Sequence, residues 1–158
     1  MTKAGWALVT ATVVCLGLLS GVLGTSAVAP PRSVQSTASA VAATPWTLHI
    51  AAVDRALAAG DLTAAATASK EAYRAALASR RWEGLLEAAD AHLRVADAAG
   101  APRAGAPRAR ELYLSALFRA RDARSVDGAV RTAQAFDRLG DREAAAHAMR
   151  VAQRLQEP

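Results

Sequence analysis

Three glycines stand forty residues apart in the chain, at Gly60, Gly100 and Gly140. Each follows a stretch with helical periodicity, and glycine readily adopts the left-handed conformation that ends a helix. Asp61 and Asp141 come directly after two of these glycines, where a side-chain oxygen can cap the next helix. A fixed period of this length with helix–turn–helix content predicts an array of stacked helix pairs.

Between the turns, apolar residues recur every three or four positions, as they do on one face of an α-helix. β-branched residues are few, and no useful stretch alternates apolar with polar residues, so we expect no sheet. Thr44 and Ser125 are further candidates for N-caps, and Pro45 suits the first position of a helix. The pattern predicts six helices, at about 46–59, 61–79, 82–99, 107–123, 126–139 and 141–156.

Small residues follow two of the glycines at the same distances, five and twelve positions on: Ala65, Ala72, Ala145 and Ala152. This spacing resembles the tetratricopeptide repeat (TPR), a helix pair in which small residues permit close packing. The resemblance covers about 46–156 as three degenerate repeats. The period of 40 exceeds the family's usual spacing of about 34. Most of the family's first-helix pattern and its closing proline are also missing. The resemblance implies a small right-handed α-solenoid of three helix-turn-helix repeats at 46–158.

The N-terminal part of the chain has a different character. After Lys3, the stretch Ala4–Ala29 contains no charged side chain. As a helix it would extend about 39 Å, which exceeds a bilayer's hydrocarbon core of about 30 Å. Two interpretations of residues 1–29 stay open: an uncleaved transmembrane anchor, or a signal peptide cleaved before Val28 or Val41.

The charges around this stretch predict its orientation. Lys3 and the terminal amine precede it and a single Arg32 follows, which favours an N-terminus in the cytoplasm. We therefore expect a single-pass protein of the cytoplasmic (inner) membrane with its helical domain on the extracytoplasmic, periplasmic side, or a secreted protein if the segment is cleaved. Gly17 and Gly21 form a G-x-x-x-G face, which lets two membrane helices approach closely, so both are candidate partner contacts.

A linker joins the two parts. Residues 30–45 read PPRSVQSTASAVAATP and offer almost no large apolar side chain to a core. Such a composition cannot offset its ordering entropy and predicts a flexible tether.

The stretch 100–107 contains two of the chain's six prolines and predicts a loop before the fourth helix. The loop and that helix together carry a cluster of arginines. An anionic membrane surface or an acidic protein partner would suit it, although a solvated arginine-rich face would give the same pattern. We take Arg108, Arg110 and Arg119 as candidate partner-binding residues. The segment 112–118 is apolar almost all round the helix. We expect it to be buried within the array, and an exposed groove for a partner is the alternative.

Motifs that carry chemistry are missing from the sequence. The chain has one cysteine, Cys15, and its three histidines fall on three different predicted helices, so no metal-ligand spacing arises. Nucleophile elbows, phosphate-binding glycine loops and dinucleotide fingerprints do not occur. We expect no enzymatic activity, no cofactor, no small-molecule substrate and no nucleic-acid partner.

The sequence and its resemblance together favour a membrane-anchored extracytoplasmic module for protein–protein interaction. A structural accessory subunit of a larger membrane complex is the alternative.

Overall fold

The computed structural model describes residues 44–157, which fold into six α-helices with no strand among them. The helices are α1 (Pro45–Ala58), α2 (Leu62–Ser79), α3 (Trp82–Ala98), α4 (Pro102–Asp122), α5 (Val126–Arg138) and α6 (Arg142–Gln156). The predicted all-α class and the predicted number of helices are confirmed for this part of the chain. The proposed anchor at 1–29 and nearly all of the linker lie outside the described residues. None of the helices α1 to α6 combines the length and hydropathy that crossing a membrane requires.

The helices pack in chain order as antiparallel pairs: α1 with α2, α3 with α4, and α5 with α6. Successive pairs are joined because α2 also packs on α3, and α4 on α5. The first helices of neighbouring pairs touch as well, α1 with α3 and α3 with α5. This arrangement is a helical-repeat-like all-α fold, in which each pair contacts its neighbours along the chain.

All five turns between helices contain a residue with left-handed backbone conformation. Within the pairs this residue is Gly60, Gly100 or Gly140, with φ of +71°, +70° and +82°. The glycine N–H groups bond back into the preceding helix, and so do those of the following residues, which satisfies carbonyls that the helix end leaves open. Between the pairs the residue is Arg80 or Arg124, with φ of +57° and +52°.

The predicted aspartate and serine caps are confirmed. Asp61 Oδ1 accepts the backbone N–H of Ala64 at 2.8 Å, and Ser125 Oγ accepts that of Gly128 at 3.0 Å. Asp141 Oδ1 likewise accepts the N–H of residue 144 at 3.3 Å. Thr44 occupies the N-cap position before Pro45, but its side chain makes no capping bond.

The prediction of a loop at 100–107 was wrong, because α4 begins at Pro102. Proline is well suited to the first turn of a helix, where its missing N–H has no partner to lose. Pro107 lies inside the helix, but it and Arg103 are exposed, so water can reach the carbonyl that proline leaves unbonded. Gly105 then lets α4 pack closely on α3, since a Cβ atom there would lie 2.7 Å from Cβ of Ala96.

The pairs interlock through tryptophans that cover glycines of the next pair. A Cβ atom at Gly84 in α3 would lie 3.0 Å from the ring of Trp46 in α1. One at Gly128 in α5 would lie 2.9 Å from the ring of Trp82 in α3. The same contact thus recurs from the first pair to the second and from the second to the third. Both tryptophans are buried, so these two contacts are part of the core that connects the pairs.

Candidate binding cleft between α2, α3 and α4

A cleft of about 290 Å³ opens between the second helices of the first two pairs, α2 and α4, with α3 as its floor. The backbones of α2 and α4 stay apart, and long side chains bridge the space between them. Small residues on α2 and α3 leave the volume empty. The lining residues are Ala66, Ser69, Lys70 and Tyr73 from α2, Ala88, His92 and Val95 from α3, and Arg108 and Leu112 from α4.

Two contacts fix the side chain of Arg108 at the edge of the cleft. Its guanidinium carbon lies 4.5 Å from the centroid of the Tyr73 ring, which is close enough for a cation–π interaction. Its Nη1 donates to Oε2 of Glu111 at 2.7 Å, one turn further along α4. The bond to the Glu111 carboxylate is the main cause that raises the pKa of Arg108. These contacts fix a permanent positive charge beside an aromatic face.

The imidazole of His92 lies deeper in the same cleft. Partial burial lowers its pKa, and the nearby charge of Arg108 lowers it further. The ring is therefore neutral at pH 7 and adds hydrogen-bonding capacity without adding a charge to the interior of the cleft. Lys70 is exposed at the rim, and Ser69 is nearly buried in the wall.

The cleft therefore combines apolar walls with a cationic rim. Its volume suits one or two side chains of a partner. An apolar side chain would displace water from Ala66, Ala88 and Leu112. A carboxylate beside it would meet Arg108 and Lys70, although Glu111 neutralises part of that charge. Chemically, the arrangement can bind and orient a ligand.

Of the three arginines predicted to bind a partner, only Arg108 lines this cleft. Arg110 points to the other side of α4, where its Nε donates to Oδ2 of Asp141 at 2.6 Å. Arg119 is half-buried, and its Nη1 donates to the backbone carbonyl of Ala76 in α2 at 3.4 Å. The three side chains thus contact different parts of the array. Gly17 and Gly21 lie outside the described residues.

The apolar segment 112–118 of α4 is buried only in part. Leu112, Tyr113 and Leu117 are in the core, whereas Leu114 is 38% and Phe118 52% exposed. The Tyr113 hydroxyl donates to Asp90 of α3, and burial is the main cause that raises its pKa. Asp90 also pairs with Arg138 of α5, at 3.7 Å, so its half-buried carboxylate connects three helices.

The histidines lie on α1, α3 and α6, as the sequence predicts. Within residues 44–157, no group of three or more His, Cys, Asp or Glu side chains is placed to hold a metal ion.

Sequence reasoning missed Tyr73, His92, Ser69 and Lys70. In the sequence, Tyr73 belongs to the apolar periodicity of the second helix, and His92 is one of three histidines on separate helices. They lie 35 and 16 positions from Arg108, and no local motif connects them. The tertiary packing of three helices brings them together.

Comparison with known proteins gives no further information on the site: no family, no curated protein and no solved structure matches this chain.

Proposed function

We propose that this protein is a membrane-anchored, TPR-like interaction module. In this proposal residues 1–29 span the cytoplasmic membrane, 30–45 form the tether, and 46–158 form a right-handed solenoid on the extracytoplasmic side. The module binds a protein partner and has no catalytic role, cofactor, small-molecule substrate or nucleic-acid ligand.

The observation that carries the proposal is the cleft between α2, α3 and α4. Its walls are apolar, its rim is cationic, and Arg108 is fixed over Tyr73. A shallow cleft of this kind suits side chains presented by another protein, because neighbouring helices supply the surrounding contact area. The helical-repeat-like fold supports the same role, since such arrays present extended surfaces to partners.

A site-specific cross-link tests this binding role. A photoreactive benzoylphenylalanine at Lys70, at the rim of the cleft, should cross-link the full-length chain to one defined protein in native membranes. The same probe at Thr63, which is exposed on the first turn of α2, should give no such product.

Filling the cleft provides a matched control. Ala66→Leu places a larger side chain in the wall and should abolish the cross-link from position 70. Ala64→Leu adds the same atoms to an exposed position of α2 and should leave it intact. A cross-link that survives Ala66→Leu would contradict a role for the cleft.

Two measurements separate the remaining alternatives. Purification in detergent with a fixed stoichiometry to other subunits would favour the structural accessory subunit over a transiently binding module. The intact mass of the mature protein decides the anchor: a chain that begins at Met1 supports it, and one that begins at Val28 or Val41 shows a cleaved signal peptide.

A further inference from the structure

One end of the helical array brings together every connection between successive pairs. The helices alternate in direction, so α1, α3 and α5 begin at this end and α2, α4 and α6 end there. Side-chain contacts connect the helices at this end. Arg119 near the end of α4 bonds to Ala76 near the end of α2, and Arg131 in α5 covers the Trp82 ring at 5.1 Å. We call this region the arginine end and the opposite one the glycine end.

The two ends differ in charge. The terminal helical turns and connecting residues of the arginine end, together with Glu157 after α6, contain six arginines and four acidic residues. The same count at the glycine end gives four arginines and five acidic residues. Arg81 pairs with Glu83, and Arg121 with Asp122. Arg80 and Arg124 form no ion pair with any described residue, so their charges face solvent.

The two ends also differ in the residues that adopt a left-handed backbone conformation, which at the arginine end are Arg80 and Arg124. Both residues have a left-handed conformation, which side chains with a Cβ atom disfavour. The turns of the glycine end meet the same geometric demand with glycine. Residues held in this conformation cluster at functional sites, and here each of the two strained positions carries an exposed arginine.

Exposed apolar side chains accompany these arginines. Leu48 is 63%, Leu77 37% and Phe118 52% exposed, and all three lie within about five residues of the arginine end. Arginines mixed with exposed apolar side chains are typical of surfaces that bind the interface of an anionic bilayer.

The point at which the linker enters the array favours a lipid bilayer as the partner of the arginine end. The linker reaches α1 at Thr44, and α1 begins at the arginine end. If residues 30–45 form the proposed flexible tether, their end-to-end distance is roughly 20–24 Å. If the uncharged stretch 4–29 is held in a membrane, the arginine end is therefore kept close to the headgroups, where even weak attraction suffices.

We propose that the arginine end docks on an anionic lipid surface, through Arg80, Arg81, Arg121 and Arg124 together with Leu48, Leu77 and Phe118. The proposal rests on the membrane anchoring proposed above. Docking at this end would leave the cleft between α2, α3 and α4 accessible to a partner, because none of its lining residues lies in the terminal turns of the arginine end.

Hydrogen exchange of the full-length chain in lipid nanodiscs tests this docking. The amides of 79–82 and 122–126 should exchange several-fold more slowly in phosphatidylcholine discs that contain phosphatidylglycerol than in pure phosphatidylcholine discs. The turns at 99–101 and 139–141 should exchange equally in both, and high salt should remove the difference because it screens exposed charges.

Charge variants identify the residues responsible. Arg80→Glu with Arg124→Glu should abolish the slowing, and the milder Arg80→Gln with Arg124→Gln should reduce it. Arg55→Glu with Arg103→Glu, at the glycine end, changes the net charge equally and should leave the slowing unchanged.

The outcomes distinguish failure of docking from failure of anchoring. A chain that enters both kinds of disc but exchanges equally in them overturns the docking surface and leaves the anchor standing. A chain that does not enter the discs overturns the anchor. Cosedimentation of that chain with vesicles of the same two compositions then decides whether lipid binds the arginine end. Slowing that requires an added acidic protein would assign the surface to a protein partner instead.

Discussion

The two ends of the array meet the same backbone requirement with different residues. At the glycine end, three short turns contain Gly60, Gly100 and Gly140 in the left-handed conformation. At the arginine end, Arg80 and Arg124 adopt nearly the same φ, although a residue with a Cβ atom loses on the order of 1–2 kcal/mol there. The glycine turns follow the local preference of the chain and the arginine turns oppose it.

This difference distinguishes turn positions where the backbone conformation explains the residue type from turn positions where the side chain must explain it. A Cβ atom at Gly60, Gly100 or Gly140 would meet no atom within 4 Å, so neither packing nor space requires glycine there. Only the positive φ does. At Arg80 and Arg124 the same φ is tolerated, and a charged side chain is kept at the surface. The lipid-docking proposal gives that side chain a purpose.

The strongest test of the comparison is Gly140→Val. A β-branched side chain resists a φ of +82°, and open space around the position leaves backbone strain as the only cost. We expect the free energy of unfolding to fall by on the order of 1–2 kcal/mol or more. Thermal and urea unfolding of the detergent-solubilised chain, followed by circular dichroism, measure it.

Asparagine supplies the control at the same position. Gly140→Asn should cost clearly less, because asparagine tolerates the left-handed region. Equal losses for the two variants would show that the cost arises from something other than the backbone conformation.

A smaller effect is expected from the caps of the glycine end. Asp141→Ala removes both the bond from the N–H of Ala144 and the ion pair with Arg110. Loss of the cap alone should cost about 0.5–2 kcal/mol. Asp61→Ala removes a cap bond and no ion pair with a described residue. The difference between the two variants in lost free energy of unfolding therefore measures the contribution of the ion pair with Arg110.

The same cap has a defined pH dependence. The bond from Arg110 and, after it, the bond from the N–H of Ala144 lower the pKa of Asp141 from its ordinary value of 3.8. A carboxyl group with a lowered pKa in the folded state stabilises that state fully above its unfolded pKa, and this contribution disappears as the pH falls through the folded value. The difference in stability between wild type and Asp141→Ala should therefore be constant near neutral pH and shrink below about pH 4. A difference that grows on acidification would contradict the ion pair.

The sequence predicted local features of the fold better than contacts between distant residues. The Gly-Asp turns and the Ser125 cap depend on a few neighbouring residues, and the structure confirms them. The start of α4 was missed because proline was taken to exclude a helix. Pro102 in fact lies in the first helical turn, and Gly105 provides the close approach to α3. Glycine at this position has the same place relative to Gly100 as the alanines that follow the other two turns, a signal already present in the sequence.

The candidate cleft was predictable only through Arg108. The local excess of arginine identified this residue, but charge counting along the chain could not tell that Arg110 and Arg119 contact other elements. Each arginine contacts a different element because it lies at a different angular position around the axis of α4, and because α2 and α6 lie on different sides of that helix. Tyr73 and His92 join Arg108 only through the packing of the first two pairs, which depends on where the core residues of three helices meet.

The smallest expected effect, and the only one of opposite sign, concerns the arginine end. Arg124→Gly relieves a φ of +52°, while glycine adds conformational freedom to the unfolded chain, which offsets part of the gain. We expect the free energy of unfolding to rise by between zero and about 1 kcal/mol. Arg121→Gly is the control, because it removes another exposed arginine from a helical position and should cost about 1 kcal/mol. Both variants should reduce the slowing of amide exchange at 122–126 in anionic nanodiscs, because each removes one positive charge from the arginine end. If Arg124→Gly is as destabilising as Arg121→Gly, the Arg124 side chain stabilises the turn itself, and its conformation is then no evidence for a surface that binds lipid.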